Sequence, residues 1–323
     1  MILAAFATVV SAQSLEVTFD ADTPAALDTA ALTTELQSVA DGQLKLGQVQ
    51  SFLSDMADAG AISQKGMGAV YSGNMEKFVV GGAIGTGVHG VGLTFGNGDD
   101  DLPSGGFATQ VTLMAGLNFG LFSGGDGVWK HIRVFGNGMY APLPSGTPFD
   151  GTMYNAGAHL QIGGIGQVAG EGAVSWGGID LTAGFERTNY RLGLGKSLPI
   201  DTGSGLVWNA DGRFDVGVTA DSVPLELSTS FRVLVVSAFV GGGYDLVTSS
   251  ATLDASLSGP LEFEDDGVGT AALALTETNS GAPGRGRVFA GAEVALWVVK
   301  LYGQLNVGLD DSYGGHLGAR VML

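Results

Sequence analysis

From Phe78 onward the chain reads as strand after strand in which apolar and polar side chains alternate with a period of two, and in the clearest of them the charges keep to one parity. Val111, Leu113, Ala115, Leu117 and Phe119 oppose Gln110, Thr112, Met114, Gly116 and Asn118. Successive Cβ atoms of a strand point to opposite faces, so this is the spacing of a sheet with two unlike sides. Trp208, Ala210, Phe214, Val216 and Val218 oppose Asn209, Asp211, Arg213 and Asp215. Leu225, Leu227, Phe231 and Val233 oppose Glu226, Ser228, Ser230 and Arg232. Further on, Val288, Ala290, Ala292 and Val294 alternate with Arg287, Gly291 and Glu293, then Leu301, Leu305 and Val307 with Lys300, Tyr302, Gln304 and Asn306. Leu317, Ala319, Val321 and Leu323 finish against His316, Gly318 and Arg320.

A soluble sandwich alternates too, with its charged face in water. Here the strands are long, they run to the last residue, and the polar face is rich in Ser, Thr, Asn, Gln and Gly rather than in Lys and Glu. Only 14% of residues are charged, and no stretch approaches the roughly 18 apolar residues of a spanning helix. Glycine stands at 55 residues against 9 prolines, which fits strands that bend and bulge in a closed sheet. The expected fold is all-β, a closed antiparallel transmembrane β-barrel.

Segments near 78-95, 107-122, 129-141, 152-166, 171-190, 206-219, 223-235, 237-249, 286-297, 299-309 and 314-323 read as strands. Single-chain bacterial barrels carry even numbers, so the expectation is about 12 strands within a range of 10-14, with Ser14 to Asp20 a candidate for the twelfth. The irregular stretch Thr248 to Arg285, with Glu262, Glu264, Asp265 and Asp266, is expected to be a long outward loop. Asp99, Asp100 and Asp101 mark a second acidic loop; both read as solvated turns ahead of a cation site. On this count the segments 96-106 and 141-151 fall on the inner side, against the rule that long loops face outward.

Three parts are expected in the chain. Residues 1-12 have the apolar core and small-residue end of a signal peptide, without a basic start. Residues 13-77 hold the short strand and two helices, the first with Thr23 and Pro24 as N-cap and N1, and residues 78-323 form the barrel. The second helix gathers Leu46, Val49, Phe52 and Met56 on one face, as a plug in the lumen, a lid over its inner mouth, or a helix packed outside the turns.

The net charge of -18 excludes nucleic acid, whose phosphates would be repelled. There is no cysteine, so disulfides and thiolate sites are absent, and no cofactor or metal is implied. Gly85 to Gly90 satisfies a dinucleotide-type glycine pattern inside an extended segment, where no helix follows to receive a phosphate. Gly195-Lys196-Ser197 imitates the end of a phosphate loop, but Tyr190 stands where its first glycine belongs, and the run reads as a turn. His89, His131, His159 and His316 are isolated and read as wall residues, with no nucleophile elbow beside them, so an enzyme is not expected.

The alternation through Leu317, Ala319, Val321 and Leu323 resembles the C-terminal assembly signal of bacterial outer-membrane barrels, with leucine in place of the usual terminal aromatic. That resemblance implies the bacterial outer membrane as location, its lipids as surroundings and the barrel-assembly machinery as a partner. Ser63-Gln64-Lys65-Gly66-Met67-Gly68, Tyr71-Ser72-Gly73-Asn74-Met75, Trp176-Gly177-Gly178-Ile179-Asp180-Leu181 and the run Val223 to Ser230 look like the leptospiral-type surface-protein barrel family. Some of its members are described as host-matrix adhesins, a role that does not pass to this chain on scaffold likeness.

On the polar parity, Arg133, Asp211, Arg213, Asp215, Glu226, Arg232, Arg287, Glu293, Lys300 and Arg320 are expected to line the lumen. They either form ladders that fill a narrow bore or edge a water path. The functional expectation is a passive channel or gated passage for small solutes. The alternative is a non-transporting surface barrel, an adhesin or structural protein, that binds an extracellular ligand through acidic loops.

Overall fold

The computed structural model describes residues 11–20, 28–44, 46–73, 75, 77–90, 105–122, 127–146, 149–167, 174–264 and 266–323. Of the signal peptide expected over residues 1–12, residues 1–10 lie outside them, as do the Thr23-Pro24 cap and the Asp99 to Asp101 loop; Ser11 and Ala12 open the first strand. The chain opens with β1 (Ser11–Phe19), α1 (Thr29–Leu44) and α2 (Leu46–Ile62). Asp28 caps α1, its carboxylate accepting the amide of Ala31 at 3.1 Å. Then come β2 (Phe78–His89), β3 (Gly106–Asn118), β4 (Ile132–Gly146), β5 (Phe149–Ile165), β6 (Val174–Asp201) and β7 (Leu206–Val233). The remainder is β8 (Val236–Phe263), β9 (Asp266–Ser280), β10 (Gly284–Leu296), β11 (Val299–Gly308) and β12 (Ser312–Met322).

Among the described residues all twelve strands belong to one antiparallel sheet, the number expected. Ten of them close the ring: β2 to β7 pair in sequence, β7 pairs β8, β8 pairs β10, and β10, β11 and β12 lead back to β2. The seam is registered from Ser312 against His89 to Met322 against Val79, and the amides of Lys77 and Phe78 donate to the carbonyl of Leu323. β9 and β10 both run along β8, β9 on its outer half and β10 on its inner half, with a break at Gly281, Ala282 and Pro283. β1 adds to β9 beyond the ring, Phe19 opposite Gly269 and Ser11 opposite Glu277.

Two expectations are corrected here. Thr248 to Arg285 is not a loop but the outer half of β8 followed by β9; alanines at 272 and 274 on the outer parity blunt the alternation that would have revealed it. Gly195-Lys196-Ser197 is not a turn but part of β6, paired with β7. β7 is one strand of 28 residues, and reading it as two shifted the sides assigned to the turns. With β7 whole, the segment between β2 and β3 and the short connection between β4 and β5 share the end opposite Leu323, the end towards which β6 to β9 extend.

The long strands change character along their length. In β7 the even positions from 206 to 230 point inward, but they run Trp208, Ala210, Phe214 and Val218 in the outer half and Ser222, Glu226, Ser228 and Ser230 in the inner half. The odd positions do the reverse: Asp211, Arg213 and Asp221 give way to Val223, Leu225, Leu227, Phe231 and Val233. β8 inverts in the same way, from inward Ser237 and Asp245 to Ala251, Leu253 and Leu257, and β6 inverts between Phe185 and Arg187. An apolar exterior over eleven residues, Val223 to Val233, matches a spanning strand of roughly 9–11 residues. Tyr140, Tyr154, Tyr244 and Tyr313 stand exposed at its outer margin, and Phe122, Trp129 and Trp297 at its inner one, the aromatic girdles of a bilayer-spanning barrel.

Beyond the lipid band β6 to β9 and β1 continue as a water-facing sheet with its own core. Leu32 and Leu36 of α1 pack there on Leu206, Trp208, Leu257, Leu261 and Leu273, with Leu15, Val17 and Phe19 of β1 at the margin.

The inversion predicts opposite outcomes at two outward positions of one strand. Leu227→Arg should destabilise the barrel by about 2–4 kcal/mol in lipid, whereas Arg213→Leu, which removes only the surface pairs with Asp215 and Asp150, should affect it far less. Urea unfolding of each variant from vesicles measures both.

Candidate functional site

The lumen is the place where the chain's charges meet. α2 enters it from the outer mouth, burying Val49, Leu53, Met56 and Ala57 against Ala108, Tyr190, Val218, Ala251 and Leu275, with Phe52 partly buried beside them. The side chain of Leu46 lies outside the described residues. Asp58, one turn before the end of α2, reaches the break between β9 and β10. It pairs with Arg285 and accepts the amide of Ala282 at 2.9 Å. His89, at the outer end of β2, meets Asp55 at 2.9 Å.

After α2 the chain tightens into short turns, the amides of Lys65 and Met67 donating to the carbonyls of Ile62 and Gln64. Gly66 takes a φ of 80°, a left-handed conformation that glycine adopts without strain. This turn aims Lys65 at the wall. Its ammonium donates to Glu186 at 2.6 Å and to Ser222 at 2.5 Å, and lies 3.8 Å from Asp245. Arg287 faces it from β10, bonded through Nε to Asp245 and through Nη1 to Asn306, each at 2.9 Å, and through Nη2 to Glu226. Tyr71 completes the group by donating its hydroxyl to Glu226 at 2.6 Å. Three wall carboxylates are thus held by one wall guanidinium and one ammonium from the internal segment, all of them buried.

The strap from Ser63 to Met75 is tied down along its length. Gln161 donates to the carbonyl of Val70 at 3.1 Å, Asn306 to that of Lys65 at 3.1 Å, and Asn118 to that of Met75 at 3.2 Å. Arg320 is paired with Glu293, its Nε 2.8 Å from the carboxylate, and lies over the ring of Tyr302 at 4.3 Å. Arg133 donates to Gln161 at 3.0 Å beside Asp180. On this side Gln110, Thr112, Asn155, Gln161 and Thr182 make a neutral polar wall.

Six of the residues expected in the lumen point into it: Arg133, Glu226, Arg287, Glu293 and Arg320 are buried there, and Lys300 is partly buried on the inward parity beside Arg320. Arg232 is exposed near the inner end of β7. Asp211, Arg213 and Asp215 are corrected: they face outward above the lipid band, where Arg213 bonds Asp215 at 2.9 Å and Asp150 at 2.8 Å, and Asp211 accepts Ser197 at 2.6 Å. Their parity is outward because polarity inverts along β7, so the same charged face that would be luminal in lipid is solvent-facing above it. Sequence reasoning missed Asp58, Lys65, Asp180, Glu186, Asp245 and Arg285. Parity alone would have yielded Glu186, which follows Asp180 and Thr182 at steps of two, whereas Lys65 and Asp58 precede the strands and carry no periodic signal.

A closed antiparallel ring with an apolar, girdled exterior and a polar lumen is the architecture of an outer-membrane β-barrel, here filled by its own N-terminal segment. The chain belongs to the family described as Lsa36-like, which matches residues 12–323. No curated protein matches it. Among solved structures, the translocator domain of the autotransporter NalP from Neisseria meningitidis is 12% identical, with 92% of this chain and 98% of that one covered and a TM-score of 0.34. A Pseudomonas aeruginosa FadL homologue is 9% identical over 84% of this chain and 99% of its own, with a TM-score of 0.27. Omp33 of Acinetobacter baumannii is 11% identical over 78% and 100%, also at 0.27. Likeness at this level carries no functional argument; the fold rests on the strand pairing of the chain itself.

Removing Arg287 would leave Glu226 and Asp245 with one buried partner fewer. Arg287→Met is expected to cost about 3–5 kcal/mol of unfolding free energy, and Tyr71→Phe, which strips one hydrogen bond from Glu226, about 1–3 kcal/mol. Denaturant titrations of the refolded barrel read both.

Proposed function

We propose that the protein is a surface-display barrel: the ring anchors it in the outer membrane, and the sheet-and-helix body above the lipid band is the part that meets the surroundings. The observation that carries this reading is the polarity inversion of β6, β7 and β8, which lifts a sheet with a wet exterior and its own apolar core clear of the bilayer. A chain that served only as a pore would have no need of strands of 28 residues. The filled lumen supports the same reading, since the strap occupies it from Ser63 to Met75 with its charges paired. The partner of that body is extracellular, and no catalysis is part of the proposal.

Gated passage of small solutes is the second reading, favoured by one observation. The wall under the strap is polar, so water would solvate it if the strap withdrew.

Planar-bilayer recording of the full chain separates the two. The display reading expects a silent membrane at any moderate voltage, together with binding of an antibody raised against the exposed Asp201 to Ser204 turn to intact cells. Discrete conductance steps from the native protein would replace it with gated passage, and the Lys65→Met variant should then open more often.

A further inference from the structure

β1 and β2 lie at opposite ends of the barrel. β1 pairs with the outer half of the β8–β9 ladder, while β2 begins at the end marked by the two-residue turns after Val233 and Leu296. The largest extension beyond the lipid band is that of β6 to β9, and long extensions mark the outer side, so β1 and α1 stand outside the cell and the chain descends through the lumen to begin the ring. Every neighbouring pair in the ring is hydrogen-bonded, β3 to β4 over Leu113–Asn118 at the inner end, which leaves the lumen as the connection between the two ends.

The lumen is cleared along this route. Gly85 and Gly87 on β2, Gly106 at the start of β3 and Gly314 on β12 face the internal segment where α2 and the turn after it pass. A methyl group on Gly87 would strike the carbonyl of Ala59, one on Gly106 the carbonyl of Asp55 and one on Gly85 the sulfur of Met67, and one on Gly314 would crowd the carbonyl oxygen of Ile62. The cargo suits the route. Between Ser11 and Gln64 the only basic residue is Lys45, so almost nothing ahead of Lys65 can bind Glu186, Glu226 or Asp245 on the way. Lys65 is where such pairing is met, 2.6 Å from Glu186.

We propose that the barrel delivers its own N-terminal arm, β1 with α1, to the cell surface through its lumen, and that the pairing of Lys65 closes the lumen behind it. The passage is then used during assembly, for an acidic, lysine-poor polypeptide, and the strap is its final state. This inference rests on the membrane orientation adopted above, so its test reads orientation separately.

The chain has no cysteine, so single cysteines can be read with a membrane-impermeant maleimide on intact bacteria. Thr18→Cys reports β1, Ser258→Cys the outer half of β8, and Lys130→Cys the exposed turn between β3 and β4 at the other end. Thr18→Cys and Ser258→Cys are expected to label alike on intact cells, and Lys130→Cys only after permeabilisation. Protection of Thr18→Cys while Ser258→Cys labels would overturn the proposal; the reverse pattern at Ser258 and Lys130 would instead overturn the orientation. Filling the track with Gly87→Phe and Gly106→Phe should abolish labelling at Thr18→Cys and keep it at Ser258→Cys. If Thr18→Cys still labels there, the lumen is not the path. Should the filled barrel fail to insert, a stably folded cysteine-free domain placed after Gln13 leaves the wall native. It should hold Thr18→Cys inside, and surface labelling at Thr18→Cys in that chain would sink the idea.

Discussion

A ring of ten strands encloses more room than its inward side chains fill, and much of this structure follows from that surplus. Burying polar groups without partners is costly, so a wall bearing Glu186, Glu226, Asp245 and Arg287 requires either water or protein in the bore. The N-terminal segment supplies protein. Its ammonium, its carbonyls and the hydroxyl of Tyr71 meet the wall group by group, and the wall in turn is glycine where the helix needs space. The glycine content that reads as tolerance of curvature is therefore also a matter of clearance, because several of these glycines face the helix rather than a bend.

The bilayer imposes the second constraint. One backbone pleat runs unbroken through β7, yet the outward positions change from aspartate and arginine to leucine and phenylalanine within two residues, at Asp221 and Val223. Nothing in the strand's geometry changes there. Only the solvent does, from water to hydrocarbon, and the inward face changes in the opposite sense because it covers helices above and an ion-paired strap below.

Much of the fold could be read in the residues, and the reasons it could are specific. Period-two alternation survives wherever one face meets lipid or water alone, which is why the strands around Leu113, Leu225 and Leu317 were legible, and why β1 was. It failed where small residues replaced large ones, as at Ala272 and Ala274, and where the apolar parity switches, from even at Val218 to odd at Val223, which split β7 in two. The lumen was legible only in part. Glu226, Arg287 and Arg320 shared a parity with other polar residues, but the assignment of Asp211, Arg213 and Asp215 assumed one solvent along the whole strand. Lys65 carried no pattern of its own, since its role comes from a turn that only the closed ring gives meaning.

The continuity of β6, β7 and β8 across the membrane boundary has a mechanical consequence. Because β6, β7 and β8 pass from the outer body into the anchor with no loop or linker between, a pull on that body acts nearly along these strands. Such a load shears the β6–β7 and β7–β8 ladders with many rungs resisting together, rather than peeling them one at a time. A body joined to its anchor in this way has no hinge at which to yield, and under tension it would behave as a rigid post set in the envelope.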